Sequence, residues 1–241
     1  MLMESRAIVL RTLKYNDRSN IVEVFSHEAG PVSFLVNVPK SSRAAVKNVL
    51  FRPMALLELT WNHRQTATLQ RVKGVKCYAP FNSIPYDPYK TAMALFLAEF
   101  LHHALREERE SGLLFDYIES SVLWLDARKQ AYANFHLVFL MRLSRFLGFF
   151  PNMQDAREGA YFDMQNSCFT SQPPLHEHYV QPTEAIHLPT LMRMGYATMH
   201  LFALSHTERN RLLTFINDYY RLHIPSFPTL KSLDVLQAVF G

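Results

Sequence analysis

Residues 32–38 read VSFLVNV, and residues 55–61 read ALLELTW. In both stretches apolar residues recur at every second position, which is typical of strands that bury one face. Three more short apolar stretches lie at residues 5–13, 20–25 and 66–77, and the stretch before Trp61 extends back to residue 54. Five short strands in about eighty residues favour a small closed barrel, because closure removes the exposed edges. The alternation slips near Gly74, which predicts a β-bulge or a barrel corner in the fifth strand.

The charge of the chain is unevenly distributed. The 241 residues carry a net charge of +4, but residues 1–80 carry +7 and the remainder carries −3. Twelve lysines and arginines are therefore concentrated on the predicted barrel, which indicates a polyanionic partner. A barrel whose surface is merely basic is the alternative. The segment 39–48, PKSSRAAVKN, adds three cations and no acid, with hydroxyl groups that could donate to phosphate oxygens.

The apolar period changes to 3.6 residues beyond Pro80, Pro85 and Pro88. We place a domain boundary there, with a nucleic-acid-binding domain over residues 1–80 and a helical domain over residues 81–241. Asp87 is a predicted N-cap and Pro88 suits the first helical turn. A third helix, at about residues 131–147, is apolar almost all round and should be central. An irregular insert at about residues 149–182 interrupts the helices.

The sequence excludes several classes of protein. It contains no Gly-rich phosphate loop, no Gly-x-Ser-x-Gly and no His-Glu-x-x-His, so we expect no enzymatic activity. Two distant cysteines, Cys77 and Cys168, favour a reducing cytosol over a disulfide framework. No signal peptide and no membrane-spanning run is recognisable. The candidate metal ligands Cys168, His176, His178 and His187 match no common zinc spacing, so we predict neither metal nor cofactor.

Several motifs, in their order along the chain, resemble the bacterial RecO family of recombination mediators. They comprise a first hairpin, a basic loop, a fourth strand, a central helix that ends in Leu-Gly, the start of a ribbon and a terminal signature. The first hairpin corresponds to residues 7–12 with Tyr15, Ile21, Val22, Phe25 and Gly30, and the basic loop corresponds to residues 39–43. The fourth strand is residues 53–59 and the central helix ends in residues 142–149. The ribbon starts at residues 161–163, and the terminal signature is residues 230–233.

The resemblance implies an α+β architecture, with an N-terminal five-stranded OB-fold barrel followed by an all-α domain. It implies binding of single- and double-stranded DNA, annealing of complementary strands, and loading of recombinase onto coated single strands. The implied partners are RecR and the acidic C-terminal tail of the single-stranded-DNA-binding protein, in the cytoplasm at the nucleoid. Many members of the family carry a four-cysteine zinc ribbon. Here only Cys168 is present in that stretch, so we predict a metal-free ribbon held by Tyr161, Phe162 and Phe169.

Annealing requires neutralised phosphates and bases that stay free to pair. An aromatic side chain could stack a base transiently, for which Tyr15 and Trp61 are candidates, although the strand parity of Trp61 favours the core. Two rivals stay open: an OB-fold scaffold that binds protein and no DNA, and a nuclease, which would want clustered carboxylates for magnesium. The predicted DNA contacts are Arg11, Lys14, Arg18, Lys40, Arg43 and Lys47. The predicted rim of the partner-tail groove consists of Arg128, Lys129, Arg142 and Arg145.

Overall fold

A computed structural model describes residues 1–37, 50–109 and 111–239. The chain forms two compact units, Met1–Ala127 with Thr229–Gly241, and Arg128–Pro228. None of the described helices is long and apolar enough to cross a lipid bilayer. The division of the chain into domains at residue 80 stays a prediction.

Five strands of the first unit close into a barrel, as the sequence predicted. Their order around the barrel is β1-β2-β3-β5-β4, with β1 antiparallel to both β2 and β4. Two parallel pairs between β3 and β5, at Phe34–Gln70 and Leu35–Arg71, complete the closure. This is the arrangement of an OB-type barrel. The strands are β1 Leu2–Asn16, β2 Ser19–Ser26, β3 Gly30–Asn37, β4 Leu56–Asn62 and β5 Gln70–Ala79.

Strand β1 is longer than predicted because it serves two neighbours. Its first half pairs with β4 and its second half pairs with β2. Ala7 and Val9 point into the barrel core, whereas Ile8 and Leu10 are buried outside that core. The residues of β1 beyond the predicted stretch, 2–4 and 14–16, are exposed or half-buried and show no apolar alternation, so the sequence pattern hid the true limits of β1.

The predicted bulge in β5 is present. Thr60 pairs with Gly74 and the next residue of β4, Trp61, pairs with Val72, so Lys73 is the extra residue. Trp61 is completely buried in the barrel core, where its ring meets Phe34 edge-on at 5.3 Å. Trp61 is therefore a core residue and not a platform for a base.

Among the described residues of the first unit, the helices are α1 Pro88–Ala104, α2 Gly112–Ala127 and, near the end of the chain, the helix Lys231–Val239. Asp87 is the N-cap of α1, as predicted, and its side chain accepts from the backbone amides of Tyr89 and Lys90. Helix α1 packs against β1 on one side and against the C-terminal helix on the other.

Glu99 of α1 fixes the start of the C-terminal helix. Its carboxylate accepts from the backbone N–H groups of Lys231, at 3.1 Å, and Ser232, at 2.8 Å, and from the Ser232 hydroxyl. Burial would raise the pKa of Glu99, but the hydrogen bonds from Ser232 and Lys231 outweigh it, so the pKa is lowered. The carboxylate thus replaces a local cap from outside the helix.

We expect Glu99→Gln to reduce the free energy of unfolding by about 1–2 kcal/mol at neutral pH, because a charged cap of two backbone amides is lost. A carboxyl with a lowered pKa stabilises the fold above its ordinary pKa, and that contribution disappears as the pH falls through the folded-state value. The difference between the two proteins should therefore shrink on acidification. Urea unfolding of both proteins across the acidic range measures it, and a difference independent of pH would contradict this role for the charge.

The second unit is built around α3, Phe135–Phe146, which was predicted from residue 131. Ala131 has a left-handed φ of 64°, which an α-helix excludes, so the helix starts later. Gly148, with φ of 86°, ends it as predicted. The buried face of α3 includes His136 and Ser144 as well as its apolar residues.

The other described elements of the second unit follow α3 along the chain. They are β6 Tyr161–Asp163, β7 Cys168–Thr170, β8 Tyr179–Val180, α4 Pro182–Ala185, α5 Leu188–Arg193, a 3-10 turn Met199–Leu201 and α6 His206–His223. The C-terminal helix Lys231–Val239 is accordingly α7.

The irregular insert contains a small antiparallel sheet in the order β7-β6-β8. Phe162 is completely buried and its ring lies 5.1 Å from that of Phe169, which is also buried. Tyr161 meets Tyr179 of the neighbouring strand edge-on at 5.7 Å. The predicted ribbon-like shape and its aromatic packing are thus present. Tyr219 of α6 joins the same cluster and anchors the sheet to the helices.

Candidate nucleic-acid interface

Three of the predicted DNA contacts lie on the hairpin formed by β1 and β2. Arg11 and Lys14 belong to β1, and Arg18 lies in the turn, where its backbone N–H donates to Oδ1 of Asn16 at 2.9 Å. All three side chains are exposed. With a rise of about 3.3 Å per residue, Lys14 lies about 10 Å further towards the tip of the hairpin than Arg11.

The charges at the hairpin tip are available to a ligand. Lys14 forms an ion pair with Asp17 at 2.9 Å, but the two side chains are 73% and 91% exposed. An exposed pair of this kind contributes about 0–1 kcal/mol, so a phosphate could displace Asp17 at little cost. Arg18 has no ion pair among the residues that the structure describes. Tyr15 lies between these cations and is 61% exposed, so its ring is accessible for stacking on a base.

Arg11 meets the C-terminal end of α1. Its Nη1 lies 3.5 Å from Nε2 of His102, and Nδ1 of the same ring lies 3.2 Å from Oε2 of Glu23 on β2. Burial lowers the pKa of His102, and the neighbouring Arg11 and Arg106 lower it further. His102 is therefore neutral at pH 7, and Arg11 is the fixed charge at this end of the hairpin.

Lys40, Arg43 and Lys47 lie outside the described residues. The last described residue before them, Asn37, pairs with Ser19, and the Ser19 hydroxyl donates to Oδ1 of Asn37 at 3.4 Å. Ser19 directly follows Arg18, so β3 ends beside the hairpin tip. The described part of β3 therefore ends next to the exposed cations of the hairpin.

Some basic residues of the barrel are used internally. The guanidinium of Arg6 donates to Asp116 at 2.9 Å and to Glu119 at 2.5 Å, both on α2, and it lies over the Phe115 ring. Lys76 lies 3.8 Å from Glu58 on the adjacent strand, but its side chain is 75% exposed, so it stays as available to a ligand as Lys14. The charge of residues 1–80 therefore overstates what is available to a polyanion. No sequence signal separates Arg6 from Arg11, because the partners of Arg6 lie more than a hundred residues away.

The predicted rim for a partner tail falls into two pairs. Arg142 and Arg145 are three residues apart on the exposed side of α3, with guanidinium groups over the rings of Tyr196, at 5.3 Å, and Phe150, at 4.3 Å. Arg128 and Lys129 are exposed and precede α3. The helix is about 18 Å long, since its twelve residues rise 1.5 Å each. The structure therefore brings Arg142 and Arg145 together, whereas the other two residues lie towards the opposite end of α3.

The residues of the ribbon do not fit a zinc ion. Asp163 accepts from the backbone and side chain of Asn166 and lies 3.3 Å from Nε2 of His176. Nδ1 of His176 accepts from the backbone N–H of His178 at 3.2 Å, so this ring nitrogen is not free for a metal. Burial raises the pKa of the Cys168 thiol, and Asp163 and Asp155 raise it further. His187 directly precedes α5, and no group of three or more His, Cys, Asp or Glu side chains in the described ranges could hold a metal ion.

We therefore expect purified protein to contain less than stoichiometric zinc, and its melting temperature to be unchanged by a strong chelator. A structural zinc site contributes folding free energy, so chelation would lower the melting temperature if one were present. Elemental analysis together with a thermal melt measures both quantities. One tightly held zinc ion per chain would overturn the assignment.

Comparison with known proteins identifies the family. The model of the recombination protein O N-terminal domain matches residues 1–81, and that of the recombination protein O C-terminal domain matches residues 85–234. The chain belongs to the recombination protein O family. Relatives from Bacteroides fragilis and Phocaeicola vulgatus, both named DNA repair protein RecO, are 58% and 55% identical over the full length of both chains. A relative of the same name from Porphyromonas gingivalis is 36% identical, again over the full lengths.

The membership confirms the resemblance drawn from the sequence motifs, and the closed barrel confirms the predicted fold class. Sequence reasoning missed the polar surroundings of Arg11. Glu23 and His102 come from two different elements, and neither stands in a motif, so only the folded chain shows that they meet. Arg11 pairs with Glu23 only because the β1–β2 register shifts between Val9 and Arg11, which the sequence does not signal.

Proposed function

We propose that this protein acts in DNA repair and homologous recombination as a mediator. It binds single- and double-stranded DNA through the barrel, anneals complementary strands and, together with RecR, helps to load recombinase onto strands coated with single-stranded-DNA-binding protein. The observation that carries the proposal is the exposed hairpin with Arg11, Lys14 and Arg18, in which the acid paired with Lys14, Asp17, is itself 91% exposed. The family and the names of its relatives support the same role.

The mechanism needs no covalent step. Cations on the hairpin replace the counterions of the DNA backbone, and the release of these ions drives binding. Two strands that are both neutralised in this way can approach each other. The bases stay free to pair, because contacts to phosphate carry no sequence information. The protein would thus accelerate annealing as a surface and would not be an enzyme.

Partner recognition is assigned to the second unit. Arg142 and Arg145 hold their charges in place over aromatic rings, and Phe146 beside them is 42% exposed. Cations next to an accessible apolar side chain suit an acidic peptide with a hydrophobic end. We assign the tail of the single-stranded-DNA-binding protein to this side of α3. Arg128 and Lys129 would then guide the approach of the tail from a distance.

An annealing assay tests the function. Complementary strands, precoated with the single-stranded-DNA-binding protein, should anneal faster when the protein is added, and RecR should promote exchange of the coat for recombinase. Binding of bare strands, titrated at two salt concentrations, should weaken steeply with salt. An OB-fold scaffold without DNA binding would show neither salt-dependent binding nor annealing. A nuclease would cleave labelled strands in the presence of magnesium, and we expect them to stay intact.

A further inference from the structure

A pocket of about 380 Å³ lies between the barrel and the C-terminal end of α1, next to Arg11. Its volume is within the range of about 300–1,000 Å³ that is usual for small-ligand sites. Its apolar lining includes Val24, Val32 and Leu105. His102, which contacts Arg11, forms part of the wall, so the pocket adjoins the proposed DNA-binding hairpin.

The polar groups of the wall comprise an acceptor and a donor. Oε2 of Glu23 is covered, and although Nδ1 of His102 lies 3.2 Å away, the carboxylate oxygen receives no hydrogen bond of acceptable geometry. Since Oε2 is already covered, a ligand meets the Glu23 side chain through the part of it that is 24% exposed, where a carboxylate can accept from a donor that the ligand supplies. On another part of the wall, Nδ1 of His63 accepts from the indole N–H of Trp61 at 3.3 Å. In the neutral ring, the proton of His63 is therefore on Nε2, which can donate.

The rim of the pocket is cationic. Arg64 and Arg106 are exposed, and neither forms an ion pair within the part of the chain that the structure describes. A phosphate would be attracted to this rim, but the Glu23 carboxylate would repel it from the interior. The arrangement therefore suits a nucleotide whose base enters and whose phosphates remain at the rim.

We propose that this pocket receives one base of a DNA strand, that the base carries an exocyclic amino group, and that Glu23 accepts a hydrogen bond from that group. Cytosine, adenine and guanine all offer such an amino group, and carboxylates accept from cytosine N4 in known protein–DNA contacts. The N–H of thymine lies between two carbonyl oxygens, which a carboxylate repels. The inference rests on the proposed function, since it takes the strand to run along the hairpin that holds Arg11.

The test compares strands that differ only in their bases. A short labelled oligothymidylate is titrated against the same strand with cytidines interspersed, and against one with abasic sites at those positions. We expect the cytidine strand to bind at least about tenfold more tightly than oligothymidylate, because a hydrogen bond to a charged group is gained. Glu23→Gln should bring the two strands within about twofold of each other. Glu58→Gln, which changes a carboxylate on β4 away from the pocket, should keep the preference.

Glu23→Leu removes the acceptor altogether and should abolish the preference as well, while circular dichroism and a thermal melt verify that each variant is folded.

Equal binding of all strands by the wild-type protein, with a normal salt dependence, would overturn the pocket assignment and leave the proposed function intact. Failure to bind any strand would remove the proposed function, and the pocket assignment with it. Cytidine monophosphate and thymidine monophosphate form a separate arm. A preference confined to these mononucleotides would assign the pocket to a free nucleotide and overturn its role on a strand.

Discussion

Asp126→Ala should lower the free energy of unfolding by about 3–5 kcal/mol, the usual cost of breaking a buried charge network by removing one member. The carboxylate accepts from the backbone N–H groups of Asn82, Ser83 and Ile84 at 2.8, 2.8 and 2.9 Å. It is thus the cap for the segment that joins the barrel to α1. Burial would raise its pKa, but the hydrogen bonds from these amides outweigh that effect and lower it.

Lys90 makes this network a sensitive one. It is 1% exposed, and its ammonium group donates to the Ser83 hydroxyl at 2.6 Å and to the backbone carbonyl of Asp126 at 3.3 Å. Loss of the Asp126 carboxylate therefore leaves three amides without this acceptor and removes one of the two carboxylates, Asp87 and Asp126, whose charges act on the buried Lys90. Urea unfolding at neutral pH measures the loss.

A matched control, Asp116, lies on α2, the helix that also carries Asp126. Asp116 also forms an ion pair, with Arg6, but its side chain is 55% exposed, so Asp116→Ala should cost less than about 1 kcal/mol. Lys90→Met in the Asp126→Ala background should recover part of the lost stability, because the buried cation is then absent. If Asp126→Ala cost no more than Asp116→Ala, the network would have no special role in the fold.

The sequence predicted best those features that depend on neighbouring residues. Short apolar stretches placed the five barrel strands, with strict period-two alternation in two of them, and Asp87 marked the start of α1. These signals are local, since each depends on residues within a turn or a strand.

Contacts between distant segments could not be predicted in this way. Asp126 and Glu99 hold segments 42–44 and 132–133 residues away, and a carboxylate on a helix gives no sign of which backbone it will cap. The same limit applies to the candidate site. Arg6 and Arg11 read alike in the sequence, yet one is bound to α2 and the other is exposed at the hairpin. The two ends of β1, residues 2–4 and 14–16, pair with distant strands and carry no apolar alternation, so the length of β1 was also missed.

The second large effect is expected for DNA binding. Replacing Arg11, Lys14 and Arg18 together by glutamine should reduce the slope of log affinity against log salt for single strands by about 2, since each lost phosphate contact removes about 0.7. At about 0.1 M salt this corresponds to roughly 100-fold weaker binding. Replacing Lys40, Arg43 and Lys47 together by glutamine should reduce the salt slope and the affinity by similar amounts, because β3 ends beside the hairpin tip.

A control variant that loses the same number of positive charges elsewhere on the barrel separates the effect of specific phosphate contacts from the effect of net charge. Arg71, Lys73 and Lys76 also lie on the barrel, but on β5, and Lys76 is close to Glu58. Their joint replacement by glutamine removes three charges from the same domain, so a field effect alone would weaken binding as much as the hairpin variant does. We expect a slope close to that of the wild type. An unchanged slope in either the hairpin variant or the loop variant would exclude that segment from the DNA-binding surface, because counterion release counts only the phosphates that the protein neutralises.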